Sequence, residues 1–254
     1  MPRTHDSIDA DGIHARAPAI IAVAGAKGGV GKSTIAYELA AALDAVLVDF
    51  DWDTGGVSDF WGAKESRRII DALERATPRA PRPLRATRRP DLVPTHPLLS
   101  EVMLNADELA DHVEAWRDAW GRRVVLDTHP GTSRLGDAAL AVADLIVCPV
   151  LLEPKPLNSL SGMLAERPEH PWVFVPNMVP ASPPRSMVDR LRDLVGERPV
   201  ASPISRHVIL SRRVRPGAVV REERPGKALS RAQAELLGLA EEVEGLIAPM
   251  EARP

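Results

Sequence analysis

The octet Lys27-Gly28-Gly29-Val30-Gly31-Lys32-Ser33-Thr34 is the part of the chain whose residue types and spacing most directly imply chemistry. Glycines let backbone N–H groups turn inward and approach an anion closely, so Gly28, Gly29, Val30 and Gly31 can line a phosphate cradle. Lys32 would hold β- and γ-phosphate oxygens, Ser33 would ligate Mg2+, and Thr34 completes the pattern. Three aspartates, Asp49, Asp51 and Asp127, each stand at the end of an apolar run. Carboxylates at strand ends of a parallel sheet face the crevice where such sheets bind ligands. The ligand implied is a nucleoside triphosphate with magnesium. The chain has no Asn-Lys-x-Asp guanine box, so ATP is expected over GTP.

These residues need a strand before the glycine loop and a helix after it. The segment 18 to 25, PAIIAVAG, reads as a buried strand, and the Ala- and Leu-rich stretch Ser33 to Leu43 reads as a helix whose positive dipole end meets the phosphates. Further strands are expected at 45–50, within 88–96, and at 122–128, 144–150 and 171–177. Helices are expected at 106–120, 135–142 and 230–247. In Ala106 to Trp120, Leu109, Val113, Trp116 and Trp120 recur at spacings of four, three and four, one face of a helix. Short apolar strands alternating with helices predict a doubly wound α/β domain, a mostly parallel sheet with helices on both faces. Residues 1–17 are polar and unpatterned and read as a mobile arm, leaving 18–254 as one nucleotide-binding domain. The stretch 77–97 holds six prolines and five arginines and reads as an exposed excursion.

Composition narrows the class. The single cysteine, Cys148, excludes an internal disulfide and a thiolate metal cage, and no apolar run approaches the ~20 residues that span a bilayer. A cytoplasmic location is expected. Net charge is only −3, yet residues 64–89 carry nine Lys/Arg against three Asp/Glu, and residues 206–227 carry seven against two. Two basic runs on an otherwise acidic body are either solvated faces or a surface for a polyanion.

Lys27, just inside the loop and ahead of Gly-Gly-Val-Gly-Lys, is the mark of the deviant Walker A group, and the chain resembles the ParA/MinD family of ATPases, most like a short-form ParA. The common form carries glycine where this chain has Ala26. The resemblance implies a homodimer that sandwiches ATP, with Lys27 reaching the partner's phosphates as an arginine finger would. It also implies that Asp49 sits near the metal, that Asp51 orients or deprotonates the attacking water, and that Asp127 is the Walker B carboxylate. Asn177, ending Phe-Val-Pro-Asn, matches the family asparagine at adenine. Asp-Thr-His-Pro-Gly (127–131) resembles the family's second switch. His129 is unusual there, and reads as either a packing residue or a reporter on the γ-phosphate. After Asp51 the chain has Trp52-Asp53-Thr54-Gly55-Gly56 where ParA proteins continue Pro-Gln-Gly.

The resemblance implies plasmid or chromosome partition: ATP-driven dimerisation, non-specific DNA binding on the nucleoid, and hydrolysis stimulated by a ParB-like centromere-binding protein. Arg206, Arg212, Arg213, Arg215, Arg221 and Arg224 cluster where the family's nucleic-acid surface lies. The run lacks aromatic residues, which favours contacts to the phosphate backbone over base stacking. The alternatives are the same engine positioning another cargo, a MinD-like membrane cycle, and a ligase or amidase on the same core. The acidic tail, AELLGLAEEVEGLIAPMEARP, argues against a membrane helix, which needs a basic amphipathic face. An iron–sulfur electron carrier is excluded by the missing cysteines.

Overall fold

The computed structural model describes residues 18–53, 55–131, 133–211 and 216–251. The arm at 1–17 lies outside the described residues, as do Arg212, Arg213 and Arg215. Six strands are described: β1 (Ile20–Val23), β2 (Val46–Phe50), β3 (Asp91–Val93), β4 (Val124–Thr128), β5 (Leu145–Val150) and β6 (Trp172–Pro176). They pair in parallel throughout, in the order β3-β2-β4-β1-β5-β6, so the strand that feeds the glycine loop is central.

Alternation along β1 explains the two layers. Ile20 and Ala22 enter one core with Leu109, Val113 and Trp116, while Ile21 and Val23 enter the other with Ile35, Leu39 and Leu236. The first core is roofed by α3 (Arg68–Leu73), α4 (Ala106–Trp120), α5 (Arg134–Val142), α6 (Pro154–Glu166) and α7 (Arg185–Val195). The second is covered by α1 (Lys32–Ala42), α2 (Val57–Trp61) and the long α9 (Lys227–Glu251), with the short α8 (Val208–Ser211) beside α9. No helix among the described residues is long and apolar enough to cross a membrane.

Local chemistry sets the ends of these elements. Asn105 and Glu108 form a reciprocal capping box at the start of α4, and Gly121 at φ 58° ends it in the left-handed region. The Ser133 hydroxyl caps α5 by accepting from Gly136 N at 3.0 Å. Arg123 holds the last turns of α9 through Glu244 and Glu251, and Glu251 also accepts from Ala19 N at 3.0 Å.

One expectation changes. The proline-rich stretch 77–97 is packed against the sheet rather than standing away from it. Leu84 and Leu92 exchange backbone bonds of 2.7 and 3.0 Å, covering β3 at the sheet edge. The Pro81 and Pro90 carbonyls accept from the indoles of Trp120 and Trp61. Proline lacks only a donor, so its carbonyl still serves a buried tryptophan.

Candidate functional site

The loop between β1 and α1 rises from the carboxyl end of the central strand, and Gly31 is its tightest point. Its φ is 93°, and a Cβ there would collide with the Asn177 amide, so glycine is required by conformation and by space alike. Gly29 also has positive φ, at 77°. Asn177 donates Nδ2–H to Val30 O at 2.8 Å and its backbone N–H to Val150 O, bracing the loop from the end of β6. The α1 axis starts at Lys32, leaving its first N–H groups directed at the loop mouth.

Charge at this edge is out of balance. Lys32 is buried, and its ammonium donates to Lys27 O at 3.4 Å. Burial lowers its pKa, against the pull of Asp127 and Asp51. Asp127 is fully buried, and neither of its carboxylate oxygens has a hydrogen bond of good geometry, although the Ser33 hydroxyl is close enough to stabilise its charge. Burial, reinforced by Asp49, drives the Asp127 pKa well above the ordinary range. Asp49, also fully buried, is pushed up to about 7 by burial. Burial raises the half-buried Asp51 too. Two carboxylates, Asp127 and Asp51, thus act on one buried ammonium, and Asp49 presses on Asp127. Orphaned buried carboxylate oxygens are costly unless a cation meets them, so this donor set fits a magnesium-bound phosphate group.

Asp49 does more than the sequence suggested. Its Oδ1 accepts from Asp51 N at 3.0 Å, and its Oδ2 accepts from Ser58 N and Oγ at 3.0 and 2.6 Å. Ser58 Oγ in turn accepts from Thr95 N, beyond β3. Asp49 therefore ties the end of β2 to the start of α2, with its oxygens already engaged. Asp127, with both oxygens available, is the better-placed metal ligand of the two. Lys27 is half-buried at the loop, and no hydrogen bond or ion pair holds its ammonium among the described residues.

A cavity of about 280 Å³ opens beside the loop, lined by Thr34, Asn177, Met178, Ser205, Arg206 and His207 with Leu210. Its far wall hangs on Glu235 of α9, which accepts from Ser205 N, Ser205 Oγ, His207 Nε2 and Arg231 Nε at 2.7 to 3.1 Å. Burial pushes the Glu235 pKa up, but these donors outweigh it and the net shift is downward. The size and mixed lining suit a nucleotide base. Sequence reading found Asn177 but not Ser205, His207 or Glu235. The polar triplet 205–207 ahead of an apolar helix turn was the available signal, and the basic run masked it.

The predicted DNA residues do not share one environment. Arg206 is exposed at the cavity rim and Arg224 is exposed on the surface. Arg221 differs from both: its side chain is 31% exposed, and its guanidinium donates to Ala41 O at 2.9 Å, to Arg89 O at 2.9 Å and to Asp44 Oδ1 at 3.1 Å, so it fastens the end of α1.

Comparison with known proteins agrees with this geometry. The chromosome-partitioning ATPase Soj of Thermus thermophilus is 34% identical over 155 residues, which span 57% of this chain and 59% of that protein. Among solved structures, Cyanothece McdA in an ATP complex superposes with a TM-score of 0.72 at 14% identity, covering 91% of this chain and 96% of McdA. MinD of Aquifex aeolicus superposes with a TM-score of 0.69 at 18% identity, covering 89% and 97%. At such identities the structures speak for the fold, a P-loop NTPase sheet of the ParA/MinD kind. Residues 21–219 match the CobQ/CobB/MinD/ParA nucleotide-binding domain, and the chain belongs to that family of nucleotide-binding ATPase domains.

Proposed function

We propose that the protein is a ParA-like partition ATPase that dimerises with ATP, coats DNA without sequence preference, and hydrolyses ATP when a ParB-like centromere-binding protein engages it. The observation that carries the reading is the buried charge at the loop: Asp127, with no hydrogen bond of good geometry to either oxygen, lies near Ser33 and buried Lys32, under a cradle that only glycine can close at position 31. In this reading Gly28 to Thr34 hold the phosphates, and Ser33 and Asp127 hold Mg2+, which supplies charge neutralisation at the phosphates. Lys32 binds the β- and γ-phosphate oxygens. Asn177 and the adjoining cavity receive adenine. Asp51 orients the attacking water, accepting hydrogen bonds at the mouth of the site. Lys27, whose ammonium has no hydrogen bond or ion pair among the described residues, reaches the partner's phosphates and offsets charge developing on the transferred group.

The partition role draws on the likeness to Soj and on the basic run from Arg206 to Lys227. DNA co-sedimentation with ATP, with ADP and without nucleotide tests it: binding is expected with ATP alone. Binding that ignores nucleotide, or none in any state, would remove the DNA role. A second reading has the same engine positioning another cargo. It is favoured by the McdA superposition and by Arg221, whose guanidinium is engaged within the chain. ATP-dependent dimers that ignore DNA would select it.

A further inference from the structure

The loops that follow β2 and β4 meet through a chain of contacts outside the phosphate cradle. The Trp52 indole and the His129 imidazole lie face to face, 4.2 Å between centroids and 3° from coplanar. The edge of the same imidazole points at Asp53, with Nε2 3.1 Å from Oδ2. A carboxylate only accepts, so the ring nitrogen is the donor. Asp53 then donates its backbone N–H to Asp51 Oδ1 at 3.2 Å. Ligating atoms of Asp51, Asp53 and His129 all fall within 4.8 Å of one another. Gly55 and Gly131, at φ 90° and 87°, stand just beyond these contacts and give each loop a point of low steric resistance.

We propose that Trp52, Asp53 and His129 form a clamp between the two loops that positions Asp51 for hydrolysis while adding nothing to ATP affinity. This rests on the hydrolase reading above. Asp51 is half-buried and close enough to Lys32 to feel its charge, yet among the described residues a single hydrogen bond holds its carboxylate, and that bond comes from Asp53. Asp53 is in turn fixed by His129, and His129 by the indole beneath it. Among the described residues, no hydrogen bond, ion pair or ring contact of Trp52, Asp53 or His129 reaches a residue assigned to the phosphates, the metal or the base. Its loss should therefore leave binding intact and loosen only the water-orienting carboxylate. Chemistry depends steeply on such placement, a misplacement of about 1 Å costing on the order of 100-fold. Trp52, Asp53 and His129 are positioning residues, acting through Asp51.

The test compares His129→Ala, Asp53→Ala and His129→Phe. The first removes stack and bond, the second removes the bond, and the third keeps an aromatic face on Trp52. His129→Ala is expected to lower kcat by about tenfold, with KM for ATP, affinity for a non-hydrolysable analogue and Tm all within error of wild type. His129→Phe should recover part of that loss, and Asp53→Ala should fall between. The emission of Trp52, isolated among the chain's five tryptophans by difference against Trp52→Phe, should change in His129→Ala without nucleotide. Unchanged Trp52 emission overturns the stack. A kcat within twofold of wild type overturns the positioning role, and so does a kcat loss matched by equal losses of analogue affinity or Tm. If wild type itself turns over no ATP, the hydrolase reading fails first, and the emission still decides whether the stack exists.

Discussion

The two ends of the parallel sheet handle charge in opposite ways. At the carboxyl ends of β1, β2 and β4, Lys32, Asp49 and Asp127 are buried, and among the described residues no hydrogen bond of good geometry reaches Asp127. At the amino ends, around the starts of β2, β3 and β4, charges are more exposed but matched. Arg122 reaches Asp91 at 2.6 Å and Asp44 at 3.3 Å, Arg85 reaches Asp91, and Arg221 reaches Asp44. Nearby, Arg88 pairs with Glu222, linking the two basic runs of the sequence. Charge that is buried without a partner is held for a ligand, because its cost is met only on binding. Charge that is paired at the surface is scaffold, contributing little per pair.

The largest effect should follow from removing the buried cation of the loop, Lys32. Lys32→Ala leaves Asp51 and Asp127 facing the phosphates with no counter-charge, and ATP affinity should fall by about 100-fold or more. A titration showing ordinary affinity would mean that the imbalance is not the binding site. Arg212→Glu with Arg213→Glu tests the reading of the basic run. ATP-dependent DNA binding should be lost at moderate salt, or retain a log–log salt slope flattened by about 1.8, while ATP affinity holds. An unchanged slope would move the DNA surface to residues 64–89. Lys27→Ala should weaken the ATP-dependent dimer and turnover together, by roughly tenfold, and spare nucleotide binding by the monomer. Size-exclusion chromatography with a non-hydrolysable analogue would decide, an unchanged dimer with unchanged turnover removing the role in trans.

A subtler consequence concerns stability without ligand. Asp127 and Asp49 have folded-state pKa values above the usual aspartate value of 3.8, with Asp49 at about 7. The folded state therefore binds more protons than the unfolded chain between those values. The stability that protonation brings is full below about pH 4 and is lost as pH rises through the folded values. Asp127→Asn removes part of this burden. It should raise the Tm of the nucleotide-free protein at pH 8 by about 3 °C, yet abolish the extra stabilisation that ATP with magnesium gives the wild type. A lower Tm in differential scanning fluorimetry would show that the buried carboxylate is not held against a cost.

Sequence reading placed the glycine loop and the strand-end aspartates at one edge of the sheet, as the fold has them, because their signals are local. A glycine octet between a strand and a helix, and aspartates ending apolar runs, can be read within a dozen residues. The parallel sheet followed from the same alternation. The missed helices show where local signals thin out. In α6, prolines at 154 and 156 open the helix and serines and a glycine dilute the apolar spacing of Leu157, Leu160 and Leu164. In α7, Leu191 and Val195 are the buried residues, four apart among charged neighbours. What no local pattern supplies is pairing across the chain. Arg221 reads as one more member of a basic run, and only the fold brings Asp44 and Ala41, 177 and 180 residues away, to its guanidinium. Trp52 and His129 meet for the same reason, the parallel register of β2 and β4 setting Asp49 beside Asp127.

Arg221 also gives the smallest and sharpest test of the contrast between the two ends. It lies in the same run as Arg212 and Arg213, so a reading by charge alone expects Arg221→Ala to weaken DNA binding and lower the salt slope by about 0.9. The structure assigns it to scaffold. Its partner Asp44 is 80% exposed, so that ion pair contributes between about 0 and 1 kcal/mol after solvent screening. Its bond to Ala41 O satisfies a carbonyl in the last turn of α1, which has no partner within the helix. Together these place the loss near 1 kcal/mol, equivalent to a Tm lower by about 3 °C in a chain of this size. DNA affinity and its salt slope should be unchanged at temperatures where the variant is folded. Arg221→Lys should recover little of the stability, because an ammonium cannot span Ala41, Arg89 and Asp44 as the planar fork does. A variant with wild-type Tm and a flattened slope would place Arg221 on the DNA surface after all, and the division between a ligand end and a scaffold end would fall with it.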